Sequence, residues 1–302
     1  MRRLRQILFF AALAAVAFPV AVLPHRIALK AGDALGLLAY IFWKSRRTIA
    51  LDNLRGAVER GAIRLDRDPE SLIRQNFRNF GRSFIEVIKI YFGFGDRIFR
   101  GVEIRGGEHV MKALEKGRGV LLITAHCGNW ELLALYASLH VTPINIVARR
   151  QDNEFFNRFI ERTREKYGNR LIYKEGALRK ILSALKKNEM VGILIDQSVI
   201  RAEGIVVPFL GRNAYAMKTP ALIARKSGTP AVPAFIRRTE KGHIIEVGAE
   251  VPLDTSADGE TALLQDTVNF LRPVEDFVRK YPAEWLWMHR RWKRVKDQGK
   301  AD

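Results

Sequence analysis

The sequence predicts an α/β fold: a central mixed sheet flanked by helices, with an N-terminal helical membrane-anchoring portion. Three observations carry that expectation. From residue 120 onward, short apolar runs alternate with longer amphipathic stretches, the pattern of strands and their covering helices. Residues 1–97 instead place their apolar side chains at helical spacing. Ahead of both, Arg2, Arg3 and Arg5 precede 17 uncharged, apolar residues from Ile7 to Leu23, at the short end of what crosses a bilayer.

The first element is therefore an anchor, spanning the membrane or lying in its interface, with its arginines on the cytoplasmic side. A cleaved signal peptide is the alternative, because Ala15-Val16-Ala17 resembles a cleavage site. The anchor is preferred because apolar residues continue past that site and Pro19 follows closely. The stretch Leu35–Trp43, preceded by Lys30 and Asp33, suits an amphipathic or re-entrant helix. If both segments cross, the body stays cytoplasmic; if only the first does, charge placement puts it outside. Residues 1–45 thus form the anchor and interfacial helix, and 46–302 the remaining domain.

Within that domain, Ile49, Ala50, Leu54 and Val58 define a helix over Arg46–Val58. A second runs from Pro69 to Phe92, its stripe of Ile73, Phe77, Phe80, Phe84, Val87 and Ile88 facing a core. Strands are then expected at Val120–Thr124, Ile144–Ala148, Leu171–Tyr173, Val191–Ile195, Ala231–Arg237 and His243–Val247. Helices fill the intervals at Asn129–Leu139, Asn153–Tyr167, Ala177–Lys187, Thr219–Lys226 and Thr261–Lys280, and Pro273 kinks or divides the last. No internal repeat or linker divides the chain.

Composition narrows the function classes. Hydrophobic content of 48% excludes general disorder. A single cysteine excludes an intrachain disulfide framework and a multi-cysteine zinc site. The formal charge of +19 favours polyanionic partners: nucleic acid, anionic lipid or an acidic protein. No helix-turn-helix, zinc-finger or RNA-recognition signature accompanies it, so nucleic acid is not expected. An anionic membrane fits better beside the anchor.

The run Thr124-Ala125-His126-Cys127-Gly128-Asn129-Trp130-Glu131 carries the chemistry. Asn129 makes a good helix N-cap, so His126 lies in a strand-to-helix turn and Glu131 in the first helical turn. On one regular helix the two would point about 140° apart, at ~3.6 residues per turn. The turn removes that obstacle, and a histidine poised by a carboxylate can act as a general base. The plainer alternative is a capping histidine and a glutamate suiting the helix dipole. Cys127 is a rival nucleophile, but neighbours in a chain rarely point at each other, so it reads as a small turn or core residue.

Other strand ends offer supporting groups. Arg149 and Arg150 follow the Ile144–Ala148 strand, where a guanidinium can bind phosphate or developing oxyanion charge, or simply be solvated. Asp196 closes the Val191–Ile195 strand; it can orient a catalytic group, pair with an arginine or hold a turn. Gly204–Gly211 lines an acyl-chain pocket or packs in the core. In the tail Pro282–Lys293, three tryptophans among basic residues suit a headgroup-level interface or nucleic-acid stacking; the anchor favours the membrane, and core packing of one or two rings is compatible with either.

Together these segments resemble the late acyltransferases of lipid A biosynthesis, within the wider lysophospholipid acyltransferase group. The matching pieces are Arg47–Leu54, the His126–Glu131 spacing, Arg149 with Asp152-Asn153, Asp196, Val207–Gly211 and Pro282–Lys293, in the family's order. The resemblance implies an α/β acyltransferase domain on the cytoplasmic face of the cell inner membrane, which resolves the orientation that charge leaves open. It implies an acyl thioester donor, acyl carrier protein or acyl-CoA, and a glycolipid acceptor. By resemblance His126 deprotonates the acceptor hydroxyl, while Glu131 orients it and stabilises the imidazolium. Arg149 and Asp196 match positions linked to substrate binding or site organisation, and no metal or cofactor is implied. The broader group carries Asp where this chain has Glu131; the Glu form is shared by lipid A and mannoside-lipid enzymes, so the motif fixes the reaction better than the acceptor.

Overall fold

A computed structural model describes residue 15, residues 17–256 and residues 258–295. Of the apolar run Ile7–Leu23, residues 7–14 and 16 lie outside the described residues, and residues 17–22 are helical. Among the described residues no helix is long and apolar enough to cross a membrane. The expected N-terminal span is therefore not seen there.

Numbering helices from His25, α1 (His25–Phe42) packs along α3 (Pro69–Tyr91), with α2 (Lys44–Glu59) between them in sequence. The inward stripe of α1 is Ala28, Gly32, Gly36 and Tyr40, at i, i+4 spacing. Small residues let the two backbones touch: a Cβ on Gly81 of α3 would lie 2.2 Å from the Gly32 carbonyl oxygen. The outward side instead carries Ile27, Leu35, Leu38 and Phe42, the last 77% exposed. This reverses the usual arrangement, in which bulky apolar side chains face the core. α3 begins where the Asp68 carboxylate accepts the Ser71 amide at 2.9 Å, with Pro69 in the first turn.

The remainder alternates. It comprises α4 (Asp96–Arg100), β1 (Val102–Arg105), α5 (Gly107–Glu115), β2 (Val120–Thr124), α6 (Trp130–His140), β3 (Ile144–Ala148) and α7 (Glu154–Glu165). Then come β4 (Arg170–Tyr173), α8 (Ala177–Lys186), β5 (Met190–Leu194), β6 (Gly204–Phe209), β7 (Arg212–Met217) and α9 (Thr219–Ser227). β8 (Ala231–Thr239), β9 (Gly242–Val247) and α10 (Gly259–Lys280) complete the order. Among the described residues a seven-stranded sheet runs β1-β9-β8-β2-β5-β3-β4, parallel except for the β8–β9 hairpin. The mixed α/β sheet is as the sequence predicts. Core clusters lie on both faces, one under α10 and the C-terminal segment, the other under α5 and α6.

The structure also refines the sequence reading. β1 and α5 were not expected. Gly204–Gly211 packs in the core, the second of its two readings: Gly204–Phe209 is the first strand of a separate antiparallel hairpin, β6–β7, with Val207, Phe209 and Leu210 fully buried. Of the two readings of Pro273, division of the helix is excluded, because α10 is continuous from Gly259 to Lys280.

Candidate active site

The register of the sheet builds the site. Thr124 at the end of β2 is the partner of Leu194 at the end of β5, and pairing continues one step further as the Ile195 amide donates to the Thr124 carbonyl at 3.0 Å. His126 and Asp196, each two residues past those ends, consequently arrive side by side. They sit at the carboxyl edge of the sheet, between strands whose connections run to opposite sides, which is where open α/β sheets place ligands.

The Asp196 carboxylate, 2% exposed, accepts His126 Nδ1 on Oδ1 at 2.8 Å and the His126 amide on Oδ2 at 3.1 Å. Oδ2 also accepts the Trp285 indole N–H at 2.8 Å. Burial by itself would raise the pKa of this acid, but the adjacent imidazole and the donated N–H groups outweigh it and hold it at about 2. An ionised carboxylate is an acceptor only, so the proton of a neutral His126 sits on Nδ1. Nε2 then presents its lone pair, which takes the Gln197 amide at 3.1 Å. This is the arrangement of a general base with its orienting carboxylate.

Glu131 lines the same cavity as His126 but is not hydrogen-bonded to it; its partners are Arg164, at 2.8 and 2.6 Å, and the Trp130 indole at 3.1 Å. Burial opposes its charge, and the Arg164 guanidinium overcomes that to hold the pKa of Glu131 below the usual carboxylate value. The nearby His126 imidazole also helps, through space, to hold the Glu131 carboxyl low. Trp130 packs edge-on against the imidazole, ring centres 5.0 Å apart.

Asn129 explains why the turn has this shape. Its side-chain oxygen caps α6 by accepting the Leu132 amide at 3.2 Å, and its Nδ2 donates to Glu86 of α3 at 2.9 Å. Glu86 is fully buried and meets Arg238 at 2.7 and 2.6 Å and His243 at 3.0 Å. Gly128 adopts a φ of +55°, and a Cβ there would lie 2.2 Å from the Ile236 carbonyl oxygen. Only glycine fits that approach.

A cavity of about 240 Å³ opens in front of His126 and Glu131. Its apolar wall comes from Phe80, Phe84 and Val87 of α3 and from Phe156, Phe159 and Ile160 of α7. The stripe on the α3 helix thus does more than pack in a core.

The sequence-expected residues divide accordingly. His126 and Glu131 share the cavity, and Asp196 stands behind His126, screened from the cavity rather than lining it. Arg149 does not line the cavity: its exposed side chain pairs with Asp152 at 3.0 and 3.2 Å on the surface. The arginine in the site is Arg164, which the sequence reading missed. Its signal was a lone cation on the same helical face as Phe156, Phe159, Ile160 and Thr163. The tail tryptophans are a further correction. Trp285, Trp287 and Trp292 are 1%, 0% and 5% exposed, so they form a buried aromatic cluster and not a headgroup-level belt. Cys127 is buried, and burial pushes its thiol pKa far up, which suits the core reading.

Residues 1–294 match the family described as bacterial lipid A biosynthesis acyltransferase. The lipid A biosynthesis lauroyltransferase of Escherichia coli (strain K12) is 27% identical over 91% of this chain and 88% of its own length. The lipid A biosynthesis palmitoleoyltransferase of the same organism is 24% identical over 90% of this chain and 86% of its own. A phosphatidylinositol mannoside acyltransferase of Mycolicibacterium smegmatis is 25% identical over 74% of this chain and 73% of its own.

Proposed function

The chain belongs to the bacterial lipid A biosynthesis acyltransferase family, and from that premise we propose that it moves a fatty acyl chain from acyl carrier protein to a hydroxyl of a lipid A precursor. That it is an acyltransferase acting on a glycolipid follows from the family; the donor, the acceptor and the residue roles are the proposal. The observation that carries it is the ionised Asp196 fixing His126 with the Nε2 lone pair turned to accept, at the mouth of an apolar-walled cavity.

His126 Nε2 takes the proton of the acceptor hydroxyl, which displaces the Gln197 amide. The oxygen attacks the thioester carbonyl carbon, forming the ester bond as the carbon–sulfur bond breaks. The departing thiolate takes the proton back from the imidazolium, and the products are an ester and a thiol. Asp196 stabilises the imidazolium by a direct hydrogen bond and Glu131 does so through space. Arg164 spends Nε and Nη2 on Glu131, which leaves Nη1 to meet oxyanion charge. The acyl chain lies along the phenylalanines of α3 and α7.

We place the enzyme on the cytoplasmic face of the cell inner membrane. The support is α1, whose bulky apolar side chains point outward beside its packed glycine stripe. An anionic lipid surface also suits a charge of +19. The comparable identity to mannoside-lipid acyltransferases favours a second reading, acylation of another glycolipid. Mass spectrometry of the lipids of a deletion strain decides: the proposal predicts lipid A lacking one acyl chain, restored by the wild-type gene and not by His126→Ala. Intact lipid A with another glycolipid under-acylated selects the second reading.

A further inference from the structure

The segment after α10 is built into the site in a way the reaction scheme above does not use. Residues 284–286 lie antiparallel to the His126 turn: the Gly128 amide donates to the Glu284 carbonyl at 2.8 Å, and the Leu286 amide to the His126 carbonyl at 3.0 Å. Between these two bonds Trp285 faces Cys127, and its indole N–H reaches Asp196 Oδ2. Trp285 itself is held from every side. Its carbonyl accepts Asn76 Nδ2 at 2.7 Å, and its ring meets Trp287 at 4.7 Å and Phe209 at 5.6 Å. A donor so fixed cannot turn away when charge on its acceptor changes.

We propose that Trp285 is a positioning residue for acyl transfer: its indole N–H, locked against the His126 turn by the C-terminal segment, fixes the Asp196 carboxylate in the orientation that holds His126. The carboxylate faces two demands. Oδ1 must take the imidazole Nδ1–H, and Oδ2 must stay off the imidazole so that Asp196 does not rotate. Two N–H donors on Oδ2, the His126 amide and the indole, satisfy the second demand. They also share the negative charge, which limits how tightly Asp196 retains a proton on the imidazole. The other charged or titratable groups around the pair are Glu131 and Arg164 across the cavity, and Cys127, Glu284, His289 and Arg291 away from it. None of these donates to Oδ2.

The inference rests on the acyl-transfer reading, and its test separates the two. Trp285→Phe deletes the N–H and keeps a ring; Trp287→Phe makes the same deletion one ring away, where the N–H serves only the Pro282 carbonyl. With a lauroyl thioester of acyl carrier protein and a lipid A precursor, Trp285→Phe lowers kcat by roughly 10- to 100-fold at unchanged KM, the scale of one hydrogen bond to a charged group. The acid limb of its kcat/KM profile moves to higher pH, because an Asp196 with one donor fewer favours the imidazolium. Trp287→Phe loosens the packing around Trp285 but leaves the indole N–H on Oδ2, so it does not move the limb. An unmoved limb in Trp285→Phe, or an equal shift of the limb in Trp287→Phe, overturns the positioning role. A second measurement does not need the variant to fold: in wild-type enzyme labelled with 15N-tryptophan, the Trp285 indole resonance titrates with the midpoint of the acid limb, and a flat resonance overturns the proposal. Absence of transfer by the wild-type enzyme rejects the parent reading instead.

Discussion

At the residue scale, the carboxylates of the site do different work. Asp196 touches the imidazole; Glu131 touches a guanidinium. Replacing Glu131 by Ala strands Arg164, whose side chain is only 12% exposed, and unpairing a buried charge costs about 3–5 kcal/mol. A loss of activity in Glu131→Ala therefore mixes chemistry with stability. The double variant Glu131→Leu, Arg164→Met separates them: the melting temperature recovers toward wild type while transfer stays at least about 10²-fold down, the lower end for a charge acting in the transition state. Recovery of transfer along with stability would show that the pair is only structural. His126 and Asp196 were visible in the sequence as polar residues closing apolar strands. Their contact was not, because it depends on β2 and β5 being neighbours in register. Arg149 looked equivalent by the same rule, yet its side chain is exposed and spent on the surface pair with Asp152.

At the element scale, β2, β3 and β5 are nearly residue-for-residue where apolar runs and turn residues put them, because a strand buried on both faces needs an uninterrupted apolar sequence. β1 escaped notice for the converse reason. It is an edge strand with a mostly exposed Val-Glu-Ile-Arg sequence and so carries no apolar signature. The β6–β7 hairpin was hidden by Arg212 and Asn213, polar residues at the start of its second strand. The helix pair α1–α3 was legible as helices but not as a contact, since its glycines read as weak helix formers. Gly81→Ala tests that contact. With backbone atoms of Gly32 and Gly36 at 2.2 to 3.0 Å from the added methyl, the helices must separate, at a cost of about 1–3 kcal/mol. Chemical denaturation should show that loss; an unchanged midpoint would mean the helices do not pack this closely.

At the scale of the whole molecule, the proposed reading brings catalysis and surface attachment together along α3. One part of that helix carries the glycine contact with α1, another lines the cavity, and Glu86 on it reaches Asn129 in the His126 turn. An enzyme whose acceptor and product are lipids gains from such an arrangement, because α1 can lie on the bilayer while α3 holds the cleft close to it. Leu38→Glu with Phe42→Glu, both on the outward face of α1, should weaken co-sedimentation with vesicles containing anionic lipid by about 10-fold or more while leaving transfer in detergent intact. Undiminished vesicle binding would remove α1 from the attachment surface. The central claim is tested most directly by incubating purified enzyme with lauroyl-loaded acyl carrier protein and a lipid A precursor, and following the acceptor by mass spectrometry. The account predicts one added acyl chain with wild-type enzyme and a rate lower by about 10²- to 10⁴-fold with folded His126→Ala, the range of a lost general base; near-normal transfer by that variant would contradict it.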